Sequence, residues 1–188
     1  MKRRILLHPE DEKILRSPAA PVTRVDKKTK ALIRDLKDTL LDEAGVGLAA
    51  PQIGVLKRVF VIRLGQTHDG DPDKELSQPI AVINPELVFE SEMEERDYDA
   101  CLSIPRLYGY TWRAEKIKIK ALDENGQPME MELEGLDARA ALHEMDHLDG
   151  VLFLDRIRDQ DDLFVIQRGK DGQSVLVPIK HVIKSTTP

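Results

Sequence analysis

The sequence predicts an α+β fold, with antiparallel sheets packed around a central helix. Three observations carry that reading. Residues 137–149 form a helical segment closed by Gly150 and carrying His143-Glu144-Met145-Asp146-His147. Residues 115–134 alternate apolar and charged side chains about the turn Asp123-Glu124-Asn125-Gly126, the pattern of an antiparallel hairpin. Residues 27–44 repeat apolar residues at helical spacing, which gives an amphipathic N-terminal helix. The C-terminus reads as β. With roughly 150 residues per domain, 188 residues make one domain spanning 1–188.

Taken in order, residues 1–25 read as an irregular arm broken by Pro9, Pro18 and Pro21. In the first helix Leu32, Leu36 and Leu40 recur at i+4, with Ile33 and Leu41 widening the stripe. Asp26 can cap its start and Gly45 can end it. A strand is expected at 58–64, then a polar loop at 65–79, then strands at 80–84 and 86–90. In the hairpin, Lys116, Lys118 and Lys120 should face Glu130, Glu132 and Glu134 across the wet side. The helix at 137–149 should press Leu136, Ala140 and Ala141 into the core. Residues 163–167 and 174–179 read as two strands, and the tail from Lys184 should fray.

Composition narrows the function classes. Hydrophobic residues make up 41% of the chain, too many for a disordered segment. The 28 basic and 34 acidic residues are mixed along the chain and sum to −6, without the basic block of a nucleic-acid binder. DNA is not an expected partner. A single cysteine excludes an intramolecular disulfide. No uncharged apolar run reaches the roughly 20 residues of a spanning helix, so no membrane is expected. The basic start, Met1 to Arg4, leads into an apolar run too short for a signal-peptide core. A reducing cytoplasm is the expected location.

Two histidines four apart stand one above the other on a helix face and can reach one metal ion. Glu144 sits about 100° further round, close enough to handle the proton of a water at that ion. Two histidines leave a catalytic site one protein ligand short, since such sites use three and keep one position open. His181 lies downstream in an expected strand. Cys101, the one thiol, is an upstream candidate, and a thiolate suits iron or zinc. The segment Gly45 to Gly54 carries no charge in a chain that is 33% charged. It serves as a buried turn or as a surface that lets another backbone approach.

Three segments in order, Gly45-Val46-Gly47-Leu48-Ala49-Ala50-Pro51-Gln52, Cys101-Leu102-Ser103 and His143-Glu144-Met145-Asp146-His147, together resemble the peptide deformylase family. The resemblance runs over roughly residues 5–157. It implies a metal-dependent hydrolase that takes the formyl group off N-formylmethionyl nascent peptides, giving formate and a free amine. It implies one divalent ion on Cys101, His143 and His147, natively Fe2+, with Zn2+, Ni2+ or Co2+ able to replace it. It implies Glu144 as general acid and base, and the Gln52 side chain and Leu102 N–H as oxyanion donors. Gly45, Val46, Gly47, Asp99, Ala100 and Arg139 fall where family members meet substrate. Nascent chains as substrate imply at most transient contact with the ribosome.

The chain departs from the family at Asp99-Ala100, where Glu-Gly is usual. Arg113 is the expected partner of Asp99. Ala100 lacks glycine's freedom at positive φ. Arg139 stands where an apolar residue often lines the methionine pocket, so it is expected to charge the rim. The expected C-terminal strands differ from the basic helix that docks some members on ribosomes. Three other readings stay open: a deformylase-like hydrolase with an altered substrate, a silent domain with a structural metal, and a zinc protease of the general type.

Overall fold

The computed structural model describes residues 1–66, 76–168 and 173–184. Its helices are α1 (Glu12–Leu15), α2 (Lys27–Asp42), α3 (Gly135–Leu148) and α4 (Ile179–Lys184). Its strands are β1 (Gly47–Ala49), β2 (Val59–Ile62), β3 (Ile80–Glu90), β4 (Glu94–Cys101), β5 (Ile104–Ala114), β6 (Lys116–Leu122), β7 (Pro128–Glu134), β8 (Leu163–Arg168) and β9 (Ser174–Pro178). Every strand pair is antiparallel, in two sheets ordered β1-β2-β3-β6-β7 and β4-β5-β8-β9. Parts of the expected 65–79 loop (67–75), of the 168–172 turn (169–172) and of the tail (185–188) lie outside the described residues.

The first sheet is buried on both faces at β1, β2 and the start of β3, while the Lys and Glu rows leave one face of β6 and β7 exposed; strand alternation assigns the faces. Phe60 and Ile62 of β2 pack with Val82, Ile117 and Ile119 against Ala138, Ala141 and Leu148 of α3. Val59 and Val61 pack with Ala81 and Ile83 against Ile33, Leu36 and Leu40 of α2. The sheet therefore lies between the two helices, and α3 is held from below by a continuous apolar surface. A third cluster, Leu15, Cys101, Ile104, Leu152 and Phe153, joins the second sheet to the segment after α3.

Asp26 caps α2 by accepting from the backbone N–H of Lys28 and Thr29. The helix closes two residues earlier than expected, at Asp42. Ala44, at φ 50°, takes the left-handed position, and Gly45 N–H bonds back to Leu40 O. Gly45 has another reason to be glycine: a Cβ there would sit 2.8 Å from Leu40 Cδ1 and 3.2 Å from Leu102 Cδ1. Gly150 does close α3 in the left-handed region, at φ 72°. The hairpin register pairs Lys116 with Glu134, Lys118 with Glu132 and Lys120 with Glu130, as the alternation implied.

Several expectations need correction. The arm at 1–25 contains the one-turn helix α1. The two strands expected at 80–84 and 86–90 are one, β3, interrupted between Ile83 and Glu86. There Asn84, at φ 50°, is tied to both backbone groups of Val22 at 2.8 Å. The strands β4 and β5 were not expected: charged residues dominate the first half of β4, and β5 carries Pro105 and Gly109. The C-terminus is not β throughout: α4 follows β9, and His181 lies in that helix. On α3 Ala141 packs in the core as expected, with Ala138 and Leu148, and Ala140 packs against the same cluster while also lining a cavity, which Leu136 lines too. The reason is angular: Ala141, Met145 and Leu148 lie 3, 7 and 10 positions along the helix from Ala138 and share its face.

Candidate active site

A hairpin and a helix bring the reactive groups together. Cys101 ends β4 and pairs with Ile104 at the start of β5, leaving Leu102-Ser103 as a tight turn. His143 and His147 lie on α3, their rings 5.0 Å apart between centroids. Ligand atoms of Cys101, His143 and His147 lie within 4.8 Å of one another, and all three residues are buried. Cys101 Sγ is 3.2 Å from His147 Nε2.

Gln52 sits in the 3-10 turn Ala50–Ile53, buried beside this cluster. Its Oε1 accepts from Ala49 N–H at 2.8 Å, which turns Nε2 toward Ser103 Oγ at 3.2 Å and Cys101 Sγ at 3.5 Å. The amide is thus oriented with its donor facing the cluster. Ser103 is fixed in turn, because its carbonyl accepts from His8 N–H at 2.9 Å.

Glu144 is buried, and its Oε2 has no hydrogen-bond partner among the described residues. Burial pushes its carboxyl up to about 7, against the positive charges of His143 and Arg113. A carboxyl near 7 is suited to taking and returning a proton at neutral pH. Gly47 makes room for it: a Cβ there would lie 2.8 Å from both Glu144 Cδ and Cγ. Gly47→Ala should displace the carboxylate and lower turnover roughly 10²-fold, the scale of a misplacement of about 1 Å, while metal content stays at wild-type level. Paired turnover and metal measurements on that variant check this.

Beneath the cluster runs a chain of buried charges. Asp99 Oδ2 accepts from Arg113 Nη2 at 2.7 Å, Arg113 Nε at 2.8 Å and Thr111 Oγ1 at 3.0 Å. It also lies 3.7 Å from His143 Nδ1. Arg113 continues to Asp146 Oδ2 at 2.9 Å, and Asp146 Oδ1 receives Arg156 Nη2 at 2.6 Å. Burial raises the Asp99 carboxyl, but His143 and Arg113 outweigh it and hold the carboxylate well below its usual range. Burial lowers the His143 imidazole, yet Asp99 and Cys101 set it well above its ordinary value. Burial and then the His143 charge hold His147 well below its own.

The expected substrate residues divide. Gly45, Val46, Gly47, Ala100 and Leu102 line a cavity of about 510 Å³ that opens on the cluster. Ala100 belongs to β4 and is absent from the positive-φ residues, so the strand does not need glycine there. Asp99 borders the same cavity, but its Oδ2 is engaged by Arg113 and Thr111 and its Oδ1 lies 3.5 Å from Arg139 Nη1. Arg139 also lines the cavity, with its guanidinium buried and turned to β4 and β5. Asp99 and Arg113 do pair, across the strands β4 and β5.

Asp99→Glu would lengthen the carboxylate by one methylene toward His143. Turnover should stay within a few-fold of wild type or rise. A large drop, read in steady-state kinetics, would mean that the site is built around the shorter side chain.

Sequence reasoning missed Thr111, Arg156 and the cavity wall formed by Tyr98, Pro105, Arg106 and Tyr108. The wall exists because β5 carries three extra residues between the pairs Cys101↔Ile104 and Ala100↔Tyr108. A bulge of that kind beside a site redirects side chains, and no local motif announces it.

The residues present fit a metal ion. The donors are one thiolate and two imidazoles, a set suited to iron or zinc. His147 Nδ1 and Glu144 Oε2 are buried without partners among the described residues. His143 turns its other nitrogen toward a carboxylate, as metal-binding histidines commonly do.

Comparison with known proteins agrees with the geometry. Residues 2–162 match the family model for polypeptide deformylase. The chain is 43% identical over 155 residues to peptide deformylase 1 of Bacillus subtilis, covering 82% of this chain and 89% of that protein. It is 41% identical over 149 residues to the peptide deformylase of Natranaerobius thermophilus, covering 79% and 89%. Among solved structures, that of a Thermotoga maritima peptide deformylase matches with a TM-score of 0.75 at 38% identity, covering 85% of this chain and 99% of that one. A Met-Ala-Ser-bound peptide deformylase from Acinetobacter baumannii matches with a TM-score of 0.75 at 33% identity, covering 84% and 99%.

Proposed function

The chain belongs to the peptide deformylase family and removes the N-formyl group from nascent polypeptides; we propose that it does so at the cavity over Cys101, His143 and His147, with one divalent ion held by those three residues. The observation that carries this reading is the convergence of the three ligand atoms within 4.8 Å beside a buried, unpartnered Glu144 oxygen.

When bound, the ion supplies Lewis-acid chemistry: it polarises the formyl carbonyl and makes water a nucleophile near neutral pH. Native iron is the reading for its identity, and zinc, nickel and cobalt are the substitutes the donor set accepts. The protein's own groups do the rest. Glu144 takes the proton from the attacking water and returns it to the leaving amine. Gln52 Nε2 and the Leu102 N–H donate to the formyl oxygen as it becomes an oxyanion on attack at the formyl carbon. Gly45, Val46, Gly47 and Ala100 border the path of the peptide backbone, and Leu136 and Ala140 give the methionine side chain an apolar wall. Asp99 and Asp146 hold Arg113 and the ligand-bearing segments in place and do not touch substrate.

Residues 1–188 act as one domain, in the cytoplasm where nascent chains emerge, with at most transient ribosome contact. No helix among the described residues is long and apolar enough to cross a membrane. The net charge of −6, with basic and acidic residues mixed along the chain, argues against DNA as a partner.

Formate release from formyl-Met-Ala-Ser under anaerobic conditions tests the reading. Release with one bound metal per chain supports it; metal-loaded protein that yields no formate contradicts it. In the same assay Gln52→Ala should keep its metal and lose about 10²–10³ in rate, the usual effect of removing one oxyanion donor.

A further inference from the structure

We propose that Arg139 is a positioning residue, a strut that fixes the distance between the helix carrying His143 and His147 and the hairpin carrying Cys101. The inference rests on the metal site proposed above. Two of its ligands lie on α3 and the third on β4, so the geometry of the set depends on how these elements are held together.

Arg139 stands one turn before His143. Its guanidinium reaches across to both strands of the hairpin. Nη2 donates to Glu95 O at 2.7 Å, and Nη1 donates to Thr111 Oγ1 at 2.8 Å and to Asp97 O at 3.2 Å. Asp99 Oδ1 lies 3.5 Å from Nη1. The residue is only 5% exposed. Glu95 and Asp97 belong to β4 and Thr111 to β5, so one planar group spans the hairpin. The five donors of a guanidinium can satisfy several carbonyls at once, which the single ammonium of lysine does poorly.

A second tie runs the other way. Arg113 of β5 donates to Asp146 of α3, next to His147. The helix thus sends an arginine to the hairpin near one histidine, and the hairpin sends an arginine to the helix near the other. Asp99 meets both arginines, and Thr111 Oγ1, which accepts from Arg139, donates to Asp99 in turn, which couples the ties. The Arg113 tie fixes the His147 end. Without Arg139 the hairpin could pivot about it, and Cys101 would shift relative to His143.

The test uses Co2+ as probe. Wild-type protein loaded with Co2+ should show a thiolate-to-cobalt charge-transfer band and visible ligand-field bands. Arg139→Leu should move those bands and weaken metal affinity by about 10–100-fold, the usual effect of losing an outer partner of a metal site. Arg139→Lys should move them in the same direction by less. Bands and affinity unchanged in Arg139→Leu overturn the proposal. If that variant does not fold, Arg139→Lys decides, with shifted bands supporting the strut and unchanged bands overturning it. A wild-type protein that lacks the charge-transfer band removes Cys101 from the metal, which defeats the metal site itself and not merely the role of Arg139.

Discussion

Glu144→Gln should retain one metal per chain and lose turnover by about 10²–10⁴-fold, the contribution of a positioned general acid and base. Gln has nearly the same size and hydrogen-bonding reach, so α3 and its two histidines should stay in place. What it lacks is the ability to accept a proton from water and return it to the amine. Gly47 leaves the cavity beside this side chain open, and Oε2 has no competing partner in the described residues. The nearest rival, Asp146, is committed to Arg113 and Arg156. Near wild-type turnover with the metal present would show that another group moves the proton.

Cys101→Ala should reduce metal content to near zero per chain and abolish formate release with it. Two imidazoles remain, one ligand fewer than a catalytic site of this kind uses. The fold should survive, because Cys101 is a small member of the cluster around Leu152 and Phe153. Metal analysis and a far-ultraviolet spectrum of the same sample separate loss of the ion from loss of structure. Metal remaining near one per chain would show that the thiolate is not a ligand.

The parts of the fold legible in the sequence are those whose pattern is local. The stripe of α2, the Lys and Glu rows of β6 and β7, and the glycine that ends α3 each follow from spacing alone. The hairpin β4–β5 was not legible. Glu94, Glu95, Arg96 and Asp97 carry no apolar alternation that would mark a strand, and although Asp99 was expected to pair with Arg113, its bond to Thr111 depends on that strand pairing. The partners of Arg139 were not legible either. Its distance from His143 is plain in the sequence, but its partners come from strands 28 to 44 residues away. The reactive set itself was legible, since two histidines at i and i+4, a lone thiol and an uncharged glycine-rich segment are each unusual here. Their convergence needed the resemblance, because spacing along the chain does not say which thiol meets which histidine.

The most direct test of the metal site is a crystal of zinc-loaded protein measured at the zinc absorption edge. The account predicts one anomalous peak, about 2.3 Å from Cys101 Sγ and about 2.0–2.1 Å from one nitrogen each of His143 and His147, with no fourth protein ligand. A peak elsewhere, or a fourth protein ligand closing the site, would contradict it.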